Sequence, residues 1–369
     1  MTADPQALYM SLELANRKWD LAFTRGGTIR RRSVKAGDGE GTLLEVSRAK
    51  ERLGLPADAR VVSCYEAGRD GFWIHRFLVN HGIENLVVDA ASIEVSRRKR
   101  RRKTDRLDAE KLVRLLLRHC GGEEKVWGVA RVPSEAEEDE RRLHRELDRL
   151  KKERTSHRNR IRSLLVLHGI REMPGRDYRR DLARFRTLEG QALPGALRGE
   201  LERESERLEM LEEQICSVKA ARRARLKEPE TAGEQRAAKL IRLRGVGPES
   251  SWVLSHEFFG WRRFRNRREV GALSGLAGTP YNSGDSSRDQ GISKAGNKRI
   301  RCTMIELSWL WLRFQPESAL SKWFWKRFGH GSSRMRRIGI VAVARKLLIA
   351  FWKYLEWDEV PAGAVLASA

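Results

Sequence analysis

Four carboxylates in this chain have the type and placement to act together: Glu13, Glu66, Asp105 and Asp108. Glu13 closes an alternating stretch and Glu66 an apolar one. Asp105 and Asp108 stand three apart at the start of a helical pattern, so they share a helix face. Carboxylates held close together repel unless a cation neutralises them. Mg2+ favours such oxygen ligands and keeps positions free for water or substrate phosphate. Two such ions, about 4 Å apart, clamp a scissile phosphodiester. Any one of these residues taken singly reads most simply as a solvated surface charge. Their combination points to metal-dependent phosphodiester chemistry. Asp89, at the end of another apolar run, competes as a fifth carboxylate.

Directly before the aspartates lies RRKRRRK, Arg97 to Lys103, an unbroken basic run. Its last residues, Arg100, Arg101, Arg102 and Lys103, suit contact with a phosphate backbone, which gives affinity and salt dependence without reading sequence. The whole chain agrees: 74 Lys+Arg against 50 Asp+Glu leave a net charge of +24 over 369 residues. That excess calls for a polyanion, with nucleic acid ahead of an anionic membrane surface. No apolar run reaches the roughly 20 residues of a spanning helix. MTADPQALYM lacks a basic segment followed by an apolar one. A soluble, cytoplasmic protein with no membrane partner is expected. Cys64, Cys120, Cys216 and Cys302 form no closely spaced pair, which argues against a zinc site or a disulfide framework.

Three further stretches carry possible chemistry. In LIRLRGVGPESSWVLSHE (240–257), Gly245 and Gly247 break two helical patterns. A helix-hairpin-helix would look like this, its backbone N–H groups approaching a DNA phosphate; so would a plain tight turn. WRRFRNRR (261–268) mixes cations such as Arg262 and Arg263 with aromatics, which suits phosphate contact and base stacking, or a solvated basic surface. The third, 273–302, is dense in glycine, serine and cations, including Lys294 and Lys298, and too polar for a core strand. A serine nucleophile needs activation by a base or an electropositive site. Spacing alone does not choose among Ser283, Ser286, Ser287 and Ser293. There is no phosphate-binding G-x-x-x-x-G-K-[ST] loop and no zinc-finger spacing.

The elements that must position these residues fall into three segments. Leu8, Met10, Leu12 and Leu14 alternate with Tyr9, Ser11 and Glu13, predicting a strand with one buried face. Strands follow at 18–24 and 28–35, a helix at 40–54, a strand at 60–67, a helix at 69–81, a strand at 85–89 and a helix at 104–119. Three strands followed by strand–helix alternation give an α/β mixed sheet. From Ser134, whose pairing with Glu137 fits a capping box, a long helix carries Leu143, Leu147, Leu150, Ile161 and Leu164, interrupted at Arg154 and His157. A second, at 197–227, repeats that spacing and is interrupted at Glu204. The pair predicts an antiparallel coiled-coil hairpin, a seam for a second copy of the chain, or an ordinary packed helical pair. PETAGE (229–234) reads as a linker, and a last amphipathic helix covers 335–357. The expected domains are 1–125, 126–232 and 233–369, α/β followed by α.

RKTDRLDAEKL, the strand ending YEAG, and GLAGTPYNSGDSSRDQGISKAGNKRIR together resemble the DEDD insertion-sequence transposases, the insertion-sequence one-ten family. The resemblance runs along almost the whole chain. It implies a RuvC-like, ribonuclease-H-like domain, a coiled-coil insert, and a mainly helical C-terminal transposase domain with a helix-hairpin-helix. The family's acidic tetrad falls on Glu13, Glu66, Asp105 and Asp108, with Glu13 where the family usually has Asp. Its nucleophilic serine, preceding a glycine, falls on Ser283. The resemblance implies Mg2+ as cofactor, and DNA and a structured noncoding bridge RNA as partners. It also implies a homo-oligomer, dimer or tetramer, in which serine and tetrad come from different subunits. The expected reaction is strand cleavage and rejoining through a covalent phosphoserine link. A hydrolytic RuvC-like junction nuclease and a non-catalytic nucleic-acid-binding scaffold are the alternatives.

Overall fold

The computed structural model describes residues 3–89, 92–93, 105–123, 126–175, 178–283 and 286–367. The chain divides into two compact units, Met1–Pro133 and Ser134–Ala369.

The first unit is built on five strands: β1 (Leu8–Leu14), β2 (Lys18–Thr24), β3 (Arg30–Lys35), β4 (Val61–Glu66) and β5 (Glu84–Val88), in spatial order β3-β2-β1-β4-β5. The first three pair antiparallel; β4 and β5 join β1 in parallel. Each parallel connection carries a helix, α1 (Gly39–Arg52) and α2 (Trp73–Asn80), as such crossovers require. Asp38 caps α1 by accepting from the Gly41 N–H at 2.8 Å. One sheet face buries Leu8, Met10, Leu12, Leu21 and Phe23 against Val46, Ile74 and Leu78. The other buries Tyr9, Ala22 and Cys64 against Ala109, Leu112, Val113 and Leu116 of α3 (Asp105–Cys120). β1 is therefore buried on both faces, not one. By polarity Tyr9 and Ser11 resemble a solvent face, but α3 roofs them over. The helix predicted at 69–81 begins only at Trp73, after a turn in which Gly71 takes φ +71°.

The second unit is mainly helical. Its opening helix is two pieces, α4 (Glu135–Asp139) and α5 (Arg142–Val166), with Ser134 and Glu137 forming the expected capping box. The break lies at Arg141, whose buried guanidinium stands 5.0 Å over the Trp261 ring. α6 (Tyr178–Arg184) packs under α7 (Gly195–Lys227). α5 and α7 run antiparallel: Leu147 and Leu150 meet Leu211 and Ile215, and Ile161 and Leu164 meet Leu201 and Leu208. The polar interruptions of the two helices face each other, with His157 Nδ1 2.6 Å from Glu204 Oε2.

PETAGE is a linker only in its first half. Thr231 and Glu234 form a second capping box, and α8 (Ala232–Ile241) starts inside the stretch. Then come α9 (Pro248–Leu254), a π-helical turn (Ser255–Phe259), α10 (Arg267–Leu273), β6 (Gly278–Ser283), β7 (Ser286–Ile292), α11 (Lys298–Phe314), α12 (Ala319–Phe328) and α13 (Ser333–Trp357). α13 threads the core, which gathers Leu240, Phe258, Met304, Trp311, Leu347 and Phe351. No helix of the described residues is long and apolar enough to cross a membrane.

Candidate active site

Strand alternation and one hydrogen bond set Glu13, Glu66 and the start of α3 toward one end of the sheet. The Ser11 hydroxyl donates to the Ala109 carbonyl at 2.6 Å, fixing the first turn of α3 over β1. Glu13 stands two residues beyond Ser11 and so projects from the same sheet face. Parallel pairing sets Ser11 opposite Cys64, whose thiol lies 3.9 Å from the Leu112 carbonyl of α3. Glu66, two beyond Cys64, follows onto that face at the adjacent strand end. Asp108 precedes Ala109 and is half-buried; Asp105 begins the helix, its side chain outside the described residues. The carboxyl ends of two parallel strands and a helix start thus converge, as open α/β sheets place their ligand sites.

Asp20 joins this end of the sheet with no sequence signal. Antiparallel register puts it opposite Glu13, and it is 6% exposed. Its carboxylate accepts from the Ser33 hydroxyl and from Lys18 Nζ at 3.2 Å. A cavity of about 260 Å³ beside it is lined by Arg31, Arg32, Ser33 and Ala109. In KWDLAFT it reads as one polar residue of an edge-like strand; only the register reveals its neighbour. Asp89 follows β5 at this same end of the sheet, directly after Val88, the residue opposite Glu66, and its N–H donates to the Gly128 carbonyl at 2.9 Å. Among the described residues no three acidic, histidine or cysteine side chains are gathered tightly enough to hold a metal ion. The donors brought to this end of the sheet are all oxygens, which suits a hard divalent cation.

Ser283 ends β6 in the second unit, paired with Ser286 across the two-stranded ribbon. Polarity speaks against a core strand here, yet the stretch is a strand pair all the same, because its two strands satisfy one another and need no sheet. The base of the ribbon is closed tightly. Ser293 N–H donates to the Ala277 carbonyl at 2.8 Å, Lys294 N–H to Gly275 at 3.2 Å, and Asn297 N–H to Leu273 at 3.1 Å. Gly275 (φ +70°) and Gly296 (φ +102°) make the crossing possible. A Cβ on either would stand 2.2 Å from a backbone carbonyl oxygen, that of Ala295 or Leu273.

The basic candidates divide. Arg100, Arg101, Arg102 and Lys103 lie outside the described residues. Lys294, Lys298 and Arg263 are exposed. Arg262 lies 4.4 Å over the Trp261 ring. The aromatics of WRRFRNRR do not offer themselves to bases: Trp261 is buried and Phe264 packs on the core beside Phe258 and Trp352. Gly245 takes φ +91° and Gly247 precedes Pro248 at the start of α9. A Cβ on Gly245 would come within 3.0 Å of Phe314 Cβ, so packing already accounts for that glycine.

One buried acid has no sequence signal either. Glu257, 2% exposed, sits in the π-helical turn. It accepts from His144 Nε2 at 2.8 Å, Arg145 Nε at 2.7 Å and Nη2 at 3.1 Å, and Asn297 Nδ2 at 3.3 Å. Burial raises its pKa, but the His144 and Arg145 hydrogen bonds and the Arg145 charge outweigh this and hold the carboxyl far below its usual range. Burial keeps His144 low, against the pull of Glu257. Next door, His256 stacks on Trp252 at 4.1 Å, and burial lowers its pKa to about 4.

The sequence matches two family profiles: the DEDD transposase profile over residues 30–170, and the one described as transposase IS116/IS110/IS902 family over 237–322. The first range contains Glu66, Asp105 and Asp108; the second contains Ser283. A putative transposase of Sinorhizobium fredii is 44% identical over 380 residues, covering 98% of this chain and 95% of the relative. A second putative transposase of that organism is 28% identical, covering 93% and 81%. The transposase for insertion sequence element IS1328 of Yersinia enterocolitica is 27% identical, covering 57% and 60%. The chain therefore belongs to the IS110-family DEDD transposases of insertion sequences.

Proposed function

We propose that this transposase cleaves and rejoins DNA through a covalent phosphoserine link formed by Ser283, with Glu13, Glu66, Asp105 and Asp108 holding Mg2+. The observation that carries the metal half is the convergence of Glu13, Glu66 and the start of α3 at one end of the sheet, fixed by the Ser11–Ala109 bond. When bound, the ion supplies charge neutralisation at the reacting phosphate. The Ser283 oxygen attacks phosphorus and gives up its proton. The P–O bond to one DNA strand breaks, and the departing oxygen takes a proton. A second DNA end then reverses the exchange, so no water is consumed. A structured noncoding RNA selects the target, and the +24 charge supports that polyanionic load. Serine and tetrad come from different subunits of a dimer or tetramer, with the α5–α7 pair as a coiled-coil contact. The domains are 1–125, 126–232 and 233–369, and the α8–α9 turn acts as a helix-hairpin-helix toward DNA backbone.

A second reading has its own support: all four carboxylates belong to the first unit and Ser283 to the second, so the acidic set is complete for attack by water. Ser283→Ala decides between them, assayed on DNA carrying the element ends. The serine reading expects cleavage to fall by at least about a thousandfold, in line with removal of a catalytic nucleophile. Undiminished cleavage would establish the hydrolytic reading.

A further inference from the structure

Among the described residues, the ribbon bearing Ser283 leaves the body through the Leu273–Asn297, Gly275–Lys294 and Ala277–Ser293 backbone bonds, which set its direction there. Asn297 stands at that point. Its N–H holds Leu273, and its Oδ1 caps α11 by accepting from the Arg299 N–H at 2.9 Å and the Ile300 N–H at 3.3 Å. Its remaining donor, Nδ2, goes to Glu257. Glu257 in turn is gripped by His144 and Arg145 of α5, and Arg299 reaches back to Asp148 of α5 at 2.9 Å. The π-helical turn matters here, since an extra residue in a helical turn swings one side chain out of the regular pattern, and such turns recur at functional sites. Maintaining a buried carboxylate there is costly unless it is fully hydrogen-bonded.

We infer that Glu257 is a positioning residue for strand cleavage, which clamps Asn297 and thereby aims the Ser283 ribbon from a platform formed by α5. The inference rests on the assignment of Ser283 as nucleophile. A small rotation at the base of the ribbon is magnified at its tip, and misplacement by about 1 Å costs as much as a hundredfold in rate.

Two variants of the full chain test it. Asn297→Asp keeps the capping oxygen for Arg299 and Ile300, removes the donor to Glu257 and sets a second carboxylate against it. Glu257→Gln keeps the shape and exchanges an acceptor for a donor. Each alone is expected to lower cleavage of element-end DNA by about tenfold or more, with DNA affinity within about twofold of the unaltered chain. Each should also speed amide exchange in 273–297, leaving the α5–α7 pair unchanged. In the double variant the introduced glutamine donates to the introduced aspartate but no longer accepts from Arg145 Nη2 at that position, and cleavage is expected to rise at least about threefold above either single variant. A double variant no better than either single one, or a ribbon base whose exchange is unmoved in both, would overturn the clamp. Exchange at the ribbon base reads the clamp whichever atom attacks DNA. If Ser283→Ala cleaves normally, the nucleophile assignment falls while the exchange result stands by itself.

Discussion

Glu13 and Glu66 sit near the ends of strands buried on both sheet faces over Leu8–Leu12 and Val61–Tyr65, whereas Ser283 rides on a two-stranded ribbon closed at its base by backbone hydrogen bonds. The acidic end inherits its geometry from strand register, and the Ser11–Ala109 bond ties α3 to β1. The serine ribbon is tied to its unit at its base. Its placement depends on two glycines, on Asn297, and on a buried carboxylate from a distant part of the chain. Regular secondary structure thus positions one half of the proposed site, and a few close approaches position the other.

This contrast is most exposed to failure at the acidic end. Asp108→Asn removes a charge and leaves the helix intact, so DNA cleavage should fall by about a thousandfold or more while DNA binding stays, as checked by cleavage and gel-shift assays. A variant that still cleaves would remove this end of the sheet from the reaction.

The next largest effect is expected at the base of the ribbon. Gly296→Ala places a Cβ against the Leu273 carbonyl at a positive φ, for a cost of about 2–4 kcal/mol in urea unfolding. Ala at the exposed Gly122, which also has positive φ but no neighbour within 4 Å, should cost only the conformational share, about 1–2 kcal/mol. Equal losses at the two positions would mean that close approach at the ribbon base contributes nothing.

The second unit should also respond to acid through His256. Its folded pKa, about 4, lies below the ordinary value of 6.5 because burial excludes the charged form. The unfolded chain therefore binds the proton first, so the contribution is complete above pH 6.5 and is lost as pH falls toward 4. That loss is on the order of 3 kcal/mol. Thermal denaturation across this window should show it, and His256→Phe should flatten the slope.

The smallest effect is expected at Glu13. Glu13→Asp shortens the reach by one methylene toward the family's usual residue. The Mg2+ concentration for half-maximal cleavage should fall by about three- to tenfold, since this ion tolerates poor geometry badly. A rise would show that the pocket is shaped for the longer side chain, and that register alone does not set the acidic end.

The same difference between the two regions explains what the sequence disclosed. Leu8–Leu14 and Lys18–Thr24 are readable to the residue, because alternation and β-propensity agree there. The heptad-like leucines of α5 and α7 announce their antiparallel contact, and even the polar breaks at His157 and Glu204 are partners. Thr231 and Glu234 carry the same capping signature as Ser134 and Glu137, yet the adjoining proline and glycine suggest a linker. The β6–β7 ribbon and Glu257 are not legible. Both depend on contacts between residues far apart in sequence: 273 with 297, and 144 with 257. No local pattern records such pairings. Ser283 itself comes from the family resemblance, since spacing leaves four serines equivalent.

Peptide mapping of the protein–DNA product would catch the covalent link itself. The intact chain is incubated with element-end DNA and Mg2+, quenched in denaturant, digested and analysed by mass spectrometry. A nucleotide linked through phosphate to Ser283 is the predicted result. Cleaved DNA with no covalently modified peptide, or modification at another residue, would contradict it.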